Sequence, residues 1–408
     1  MKIVLKALFA VATTVIALSC AKQEDTPYNP IEQQALEKWL AVNAPDAVRL
    51  GETDIYYEVT GREDAGGVTK LKPAEWAIMQ YTIKDLSGNT VVTRSKTEAK
   101  KLGTYTPYAH YVPNMIYIAS TEGQNLLPKV YYHAALSIPP GETWRLYVPS
   151  SYGFGSTVVE DVVGYGGQVT LGANKPFILD DVRILERIPD PETREVAILD
   201  KYAMDVLELE KSNSPIYLKV TSNDEIPVAD REYVKENEAA YIYFTAYFIE
   251  NGKIGQMIDT NYSQKWLDNY GQVRLTDNTD ALTVTHKKET TTVNGEEVTK
   301  MVIGGTMPSK PFTAIIDLLY YGASGYLVVG SQYAYDYLGR GGNRPTNTTS
   351  YPYDDSGYGE KSIAYFDTHG SSVYSPNYST SDVVIVPEVK PFTPIVYEFY
   401  VSLEKPEN

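Results

Sequence analysis

The sequence predicts an α+β protein built from two tandem copies of one domain, each a mostly antiparallel sheet with one short helix packed on it. Two observations lead to this prediction. Segments that alternate apolar and polar residues, or are rich in Val, Ile, Tyr and Thr, recur along both halves of the chain and are typical of strands. A series of landmarks also occurs twice in the same order, and each copy is far too long for a solenoid repeat.

The landmarks of the two copies can be paired one by one. Each copy begins with a strand-like sequence and later contains a glycine, an alternating strand and a turn that ends in an aromatic residue. The interval from the glycine to this aromatic residue is the same in both copies. The pairs are residues 55–60 and 216–221, Gly141 and Gly322, and Phe154 and Tyr335.

The first residues have the composition of an export signal. Lys2 and Lys6 precede an apolar run over residues 7–18, which is short for a membrane span. Cys20 is the only cysteine of the chain, and a single thiol at the end of a signal peptide resembles a bacterial lipoprotein, in which the thiol is acylated. The alternative is an ordinary cleaved signal with an incidental cysteine.

A short polar tether follows Cys20 and contains Glu24 and Asp25. Acidic residues in this place resemble the surface-export signal of Bacteroidota lipoproteins. We therefore expect a protein of the cell envelope that is lipid-anchored in the outer membrane, either periplasmic or surface-exposed. With one cysteine, the chain can form no intramolecular disulfide. The net charge of −16 argues against nucleic acid and against anionic membrane surfaces as partners.

Each copy is preceded by a short helix. Asn29 and Pro30 form a helix start, and apolar residues follow at helical spacing up to about residue 43. Asp190 and Pro191 repeat this start, and the second helix is expected to end before Ser212. The predicted divisions are a signal peptide at residues 1–19, a tether at 20–29, a first domain at 30–188 and a second domain at 189–408.

Inside each body, one helical stretch is expected just before the repeated glycine, at residues 129–136 and 312–320. The second copy also carries two insertions. The one at about residues 282–303 contains Asn294-Gly295 and predicts a hairpin. The one at residues 337–381 is rich in Gly, Ser, Asn and Tyr, and its length indicates either a functional or a partly disordered segment.

The sequence lacks the residue patterns of the common metal, phosphate-binding and nucleophilic sites. The four histidines are scattered, so no metal site is indicated, and no phosphate-binding loop or nucleophile elbow is present. We expect no cofactor. The chain is instead rich in tyrosine, with 35 residues. An aromatic-lined cleft could hold a peptide or a sugar ring, or the tyrosines could simply belong to sheet surfaces.

The landmarks resemble one protein family. The first copy reads Val-Pro-Ser-Ser-Tyr-Gly-Phe-Gly at residues 148–155, which resembles the isoleucine, proline, alanine, tyrosine, glycine pattern of FKBP-type peptidyl-prolyl cis-trans isomerases. Residues 332–335 of the second copy are similar. Residues 81–82 and 244–245 resemble the family's tyrosine–threonine strand, and residues 257–260 its phenylalanine–aspartate–serine segment. The resemblance covers roughly residues 54–188 and 215–405.

The resemblance implies two tandem FKBP-like domains, each an antiparallel half-barrel sheet wrapped round one short helix, with a pocket between sheet and helix. It also implies a chemistry that needs no metal, cofactor or nucleophile. Prolyl isomerisation must lower a rotational barrier of about 18–20 kcal/mol that amide resonance creates. A dry aromatic pocket favours the twisted amide, which has lost charge separation, over the planar one.

The pocket residues follow from the same resemblance. In the second copy Tyr335, Asp259 and Phe312 are the implied catalytic residues. In the first copy Phe154 and Thr93 replace the family's tyrosine and aspartate, so this copy is expected to bind without catalysing. The second copy loses a tyrosine at Phe244, yet it is the better candidate for activity. The implied substrate-binding residues are Tyr81, Leu126, Leu127, Tyr131, Phe154, Phe244, Ile258 and Tyr397.

The resulting hypothesis is an exported lipoprotein that binds proline-containing or unfolded polypeptide segments, with isomerase or chaperone-like activity. The alternative is a non-enzymatic surface lipoprotein that binds a glycan or a protein partner through the tyrosine-rich segment at residues 337–381. In a third interpretation, the aromatic residues are only the core of a degenerate fold. Fold alone does not decide among these.

Overall fold

The computed structural model describes most of the chain. The described residues are 30–105, 110–125, 127–156, 159–160, 170–221, 226–270, 281–293, 296–303, 308–335, 337, 339, 343–345, 383–385 and 389–406. The predicted signal peptide, Cys20 and the predicted tether lie outside these residues, as does nearly all of the segment 337–381. No helix within the described ranges is long and apolar enough to cross a membrane.

The first half folds into an antiparallel sheet of seven strands. Its order is β1-β2-β6-β9-β3-β4, and β5 also pairs with β3. A separate two-stranded pair is formed by β7 and β8. The strands are β1 (Val48–Arg49), β2 (Tyr56–Arg62), β3 (Glu75–Lys84), β4 (Thr90–Thr93), β5 (Asn114–Ile118), β6 (Glu142–Val148), β7 (Val159–Glu160), β8 (Thr170–Leu171) and β9 (Phe177–Ile188).

The second half folds into an antiparallel sheet of six strands. Its order is β10-β16-β19-β11-β12, and β13 also pairs with β11. The predicted hairpin is present as β14 and β15, and β17 pairs with β18. The strands are β10 (Ile216–Thr221), β11 (Ala239–Glu250), β12 (Lys253–Thr260), β13 (Leu282–Thr285), β14 (Lys288–Val293), β15 (Glu296–Met301), β16 (Ser324–Val329), β17 (Asn343–Pro345), β18 (Val383–Ile385) and β19 (Ile395–Val401).

The two sheets share one strand order. Positions β2, β6, β9, β3 and β4 of the first sheet correspond to β10, β16, β19, β11 and β12 of the second. Each sheet also has one further strand in the same place, since β5 pairs with β3 and β13 pairs with β11. The expected α+β class is confirmed at this level, with two antiparallel sheets and few helices.

Six α-helices occur among the described residues. They are α1 (Pro30–Asn43), α2 (Lys96–Leu102), α3 (Lys129–Ser137), α4 (Pro191–Asp205), α5 (Ser263–Tyr270) and α6 (Ser309–Thr313). Helix α4 starts as predicted, because the Asp190 side chain accepts a hydrogen bond from the Thr193 N–H and Pro191 occupies the first turn. It ends earlier than expected. Glu208 adopts a left-handed backbone with φ of 57°, and the Leu209 N–H donates to the Ala203 carbonyl, which closes the helix end.

The predicted helix at residues 312–320 is wrong in extent. The structure has only α6, followed by a short 3₁₀ turn at Ile316–Leu318. Ile315 leaves the helical region, with φ of −129°. Thr313, Ile315 and Ile316 are β-branched, and such residues lose side-chain freedom in a helix, which favours the break. The corresponding α3 of the first half is continuous and matches its prediction.

Each sheet has a core on one face and its leading helix on the other. In β16, Leu327 and Val329 face the core under α6, while Val328 packs against Leu199 and Tyr202 of α4. Adjacent strand residues point to opposite faces, which accounts for this division. In the first half, Tyr147 of β6 and Ile178 of β9 pack in the same way against Leu36 and Leu40 of α1.

A glutamate in each leading helix binds the turn that follows a central strand of its sheet. This strand is β6 in the first sheet and β16 in the second. The Glu32 carboxylate accepts hydrogen bonds from the Ser150 N–H (2.7 Å) and hydroxyl (2.6 Å). The Glu195 carboxylate accepts the equivalent bonds from the Ser331 N–H (2.7 Å) and hydroxyl (2.9 Å). The two halves therefore share a polar contact as well as a strand order.

Candidate functional site

The implied pocket residues of the second half meet around Phe312, which is fully buried at α6. Its ring lies 6.0 Å from that of Phe244 on β11 and 5.5 Å from that of Tyr397 on β19. Ile258 belongs to the same core, and Tyr335 packs against it. We call Phe244, Ile258, Phe312, Tyr335 and Tyr397 the second aromatic cluster.

An irregularity in β12 places Asp259 beside this cluster. Ala246 pairs with Asp259 while the next residue, Tyr247, pairs with Met257, so Ile258 is the extra residue of a bulge. Partners across a strand pair share a face, and Ala246 lies in the core, so Asp259 points to the core side as well. Asp259 is 4% exposed, and one of its carboxylate oxygens accepts a hydrogen bond from the Thr260 N–H (2.9 Å).

The implied residues of the first half also converge. Tyr81 of β3 and Tyr131 of α3 lie 5.0 Å apart between ring centroids, and both are buried with Leu127 and Phe154. We call these four residues the first aromatic cluster. Leu126 lies outside the described residues. The Tyr131 hydroxyl has no hydrogen-bond partner among the described residues, and burial raises its pKa far above the usual range.

Both clusters are packed interiors rather than open pockets. The six buried aromatic residues are exposed by 8% or less, with Phe154 at 8% and Phe312 and Tyr397 at 0%. Tyr335 is the exception, because its side chain is only partly buried. Among the members of the second cluster, Tyr335 therefore offers the most accessible point of entry for a ligand, and the buried rings must move to admit one.

An open cavity of about 760 Å³ lies elsewhere, where the two halves meet. We call it the central cleft. The first half contributes residues from α2 to the segment before β5, and the second contributes β11, β12 and α5. Its lining residues are Lys96, Tyr105, His110, Tyr111, Val112, Tyr247, Glu250, Gly255, Gln256, Met257, Lys265, Asp268 and Asn269.

A histidine joins the two walls of the cleft. The His110 ring stacks on Phe248 with centroids 3.7 Å apart and planes 4° apart. Its Nε2 atom lies 3.5 Å from the Glu250 carboxylate. Hydrogen bonding from His110 is the main cause that holds the pKa of Glu250 below its usual range, and the Gln256 N–H adds to it. Glu250 is therefore ionised at neutral pH.

The rest of the lining combines aromatic faces with charges of both signs. Tyr105 and Tyr111 stack at 5.6 Å, and the Lys96 ammonium lies 5.7 Å from the Tyr105 ring. On the opposite wall the Lys265 ammonium lies 3.1 Å from the Glu398 carboxylate and 4.9 Å from the Tyr262 ring. Such a surface can contact apolar, aromatic and charged groups at once.

Sequence reasoning did not find the cleft. Its residues come from segments far apart in the chain, and no landmark of the repeat marks them. The only local signal was the tyrosine content, which indicated an aromatic-lined site without locating it. Within the described ranges, no three His, Cys, Asp or Glu side chains lie close enough together to hold a metal ion.

Comparisons with known proteins give only remote structural matches. No family model and no curated protein matches the chain. Among solved structures, the three FKBP domains of wheat FKBP73 share 12% identity, with 87% of this chain and 97% of that one covered and a TM-score of 0.25. A peptidyl-prolyl cis-trans isomerase from Pseudomonas syringae shares 14%, with coverages of 39% and 95% and a TM-score of 0.25. FkpA from Escherichia coli shares 16%, with coverages of 46% and 72% and a TM-score of 0.26. All three likenesses are remote, both in sequence identity and in TM-score.

Proposed function

We propose that the protein binds unfolded or proline-containing polypeptide segments in the central cleft, as a chaperone-like protein. The observation that carries this proposal is the contrast between the two closed aromatic clusters and the open cleft of about 760 Å³. A site that must accept many side chains benefits from aromatic surface and from both signs of charge. The cleft has both.

Three features of the lining suit an extended chain. Tyr105, Tyr111 and Tyr247 offer apolar faces with polar tips, which contact varied side chains at a small cost in conformational entropy. The Lys96 and Lys265 ammonium groups can meet acidic residues, and the Asp268 carboxylate can meet basic ones. Amide groups on the same walls can pair with a peptide backbone.

The first expected result concerns Tyr105, which is 38% exposed and stacks on Tyr111 in the cleft. Tyr105→Ala should weaken binding of a fluorescently labelled, reduced and carboxymethylated α-lactalbumin by about tenfold, because a ring that contacts ligand is often an anchor of a binding surface. Fluorescence anisotropy with the mature chain measures the effect.

The matched control is Tyr233→Ala, which removes a tyrosine that is 47% exposed and lies outside the cleft. This control should bind as the unchanged protein does. Equal losses in both variants, or none in Tyr105→Ala, would contradict the cleft as the site. Retention of a soluble oligosaccharide but not of the unfolded protein would favour the glycan alternative instead.

The second aromatic cluster is a separate candidate for prolyl isomerisation, favoured by the partial exposure of Tyr335 above buried rings. Proline inserted among Phe312, Phe244 and Tyr397 would lie in a desolvated site, which favours the twisted amide. The rings are packed against one another, so entry requires displacement of side chains. We therefore propose a slow isomerase activity that accompanies binding.

The second expected result tests this site. In a protease-coupled refolding assay with a proline-limited substrate, the mature chain should give a rate above background, and Tyr335→Phe should lower it by about tenfold because the hydroxyl is lost as a hydrogen-bond donor. Tyr333→Phe, two residues away and also partly buried, serves as the control. A rate indistinguishable from background, or equal rates for the two variants, would rule out catalysis at Tyr335.

A further inference from the structure

A short segment of the second half is buried against the first half. Residues 389–392 have the sequence Val-Lys-Pro-Phe and precede β19, and all four are buried. We call them the docking segment. Two of their side chains, Lys390 and Phe392, contact residues of the first sheet.

Lys390 reaches the polar edge of the first aromatic cluster. Its Nζ donates a hydrogen bond to Asn114 Oδ1 at 2.7 Å, and Asn114 Nδ2 donates to the Tyr81 hydroxyl. Lys390 is only 6% exposed. Lysine is rarely buried unless its ammonium is paired. The residue that occupies this position must therefore be able to donate a hydrogen bond to Asn114 Oδ1.

Phe392 fills an apolar surface on the other face of the same sheet. Its ring meets that of Trp76 edge to face, 5.1 Å apart and at 82°. Met115 and Ile188 also pack against it from the first sheet, and Tyr337 of the second half lies 5.2 Å away between ring centroids, which leaves Phe392 8% exposed. The Phe392 backbone has φ of 47°, a left-handed conformation that is unfavourable for phenylalanine and persists only where the surroundings fix it.

The docking segment also makes contacts with the second half, to which it belongs. Val389 belongs to the second core, and the Phe392 N–H donates to the Tyr337 carbonyl at 3.1 Å. A side chain at Gly339 would collide with the carbonyl oxygens of Val389 and Lys390, and its φ of 70° also requires glycine. The segment is thus presented in one conformation.

We propose that the first sheet carries a recognition site for a Lys-Pro-Phe segment, and that this chain fills the site with its own residues 390–392. Three elements give specificity: a buried acceptor for one ammonium group, an aromatic wall for one ring, and a proline between them that limits the conformations to be lost. This proposal is independent of the central cleft. The residues of the site are Trp76, Tyr81, Asn114, Met115 and Ile188.

A peptide supplied in trans tests the site. Phe392→Ala in the mature chain removes the ring that fills the apolar part, so a labelled peptide of residues 389–394 should bind this variant at least tenfold more tightly than the unchanged protein. In the unchanged protein the tethered segment competes at a high effective concentration. Fluorescence anisotropy measures both affinities, and circular dichroism verifies that the variant is folded.

Two controls make the result specific. A peptide with alanine in place of its phenylalanine should not bind Phe392→Ala, and Leu403→Ala, which removes an exposed side chain near the same strand, should not bind the peptide better than the unchanged protein does. Should Phe392→Ala fail to fold, Lys390→Met replaces it, with faster amide hydrogen exchange at residues 114–118 that the peptide reverses. Equal affinity of the peptide for variant and unchanged protein, or exchange unaltered by Lys390→Met, would overturn the proposal.

Discussion

Replacement of Phe312 by alanine is expected to lower the free energy of unfolding of the second half by about 3–5 kcal/mol. Phe312 is fully buried, and its ring contacts those of Phe244, Tyr397 and Phe399 at centroid distances of 5.5–6.0 Å. Its loss removes both the burial of a large ring and the contacts around it. Urea denaturation followed by tyrosine and tryptophan fluorescence measures the change.

A neighbouring residue supplies the control. Leu318 lies in the 3₁₀ turn after α6 and is 54% exposed, so Leu318→Ala should change stability by no more than about 0.5 kcal/mol. A loss below about 1 kcal/mol for Phe312→Ala would mean that the Phe312 ring contributes little to the stability of the second core. In that case the second cluster opens easily, and a pocket becomes the better description of it.

The second large effect is expected at Glu195. Glu195→Ala should destabilise the second half by about 2–4 kcal/mol, because the buried Ser331 N–H and hydroxyl lose their acceptor and a cavity forms. The measurement is again the free energy of unfolding. Glu192→Ala, which removes an exposed carboxylate from the same helix, should have little effect. Similar losses in the two variants would show that the contact with Ser331 contributes little.

The same residue predicts a dependence on pH. Burial raises the pKa of Glu195 above its usual range, and the hydrogen bonds from Ser331 offset this only in part. The folded state therefore holds the proton more tightly than the unfolded chain, so the contribution of Glu195 to stability falls as the pH rises through the raised pKa. Glu195→Gln is neutral at every pH. Its stability relative to the unchanged protein should increase from about pH 4 to about pH 8, and a constant difference would contradict the raised pKa.

The strands were predictable because their signal is local. The alternating pattern at residues 76–83 corresponds to β3, and the pattern at 241–249 corresponds to β11. Such patterns record which face of each strand is buried, and the order of the landmarks then predicts that the pattern occurs twice. The start of α4 was likewise indicated by a capping residue followed by proline, and α1 begins at Pro30 as its proline indicated.

The remaining features depend on contacts between distant parts of the chain. The β-branched residues around Ile315 disfavour a helix only weakly, so their local signal did not by itself distinguish a continuous helix from the broken one. The central cleft and the docking segment arise only where the halves meet. The glutamate–serine contacts left only part of a signal, because Ser150 and Ser331 both begin the turn after a repeated strand, whereas Glu32 and Glu195 lie at different distances after Pro30 and Pro191.

The position of β19 has a consequence for the order in which the protein can assemble. This strand lies between β16 and β11, yet it follows both in the chain. Until residues 395–401 have been synthesised, the strand pairs β10–β16 and β11–β12 lack β19, which lies between them. The second core cannot close before then. The docking segment arrives at the same moment, just before β19. The surface around Trp76 therefore stays uncovered throughout synthesis of the second half, and its covering coincides with completion of the second sheet.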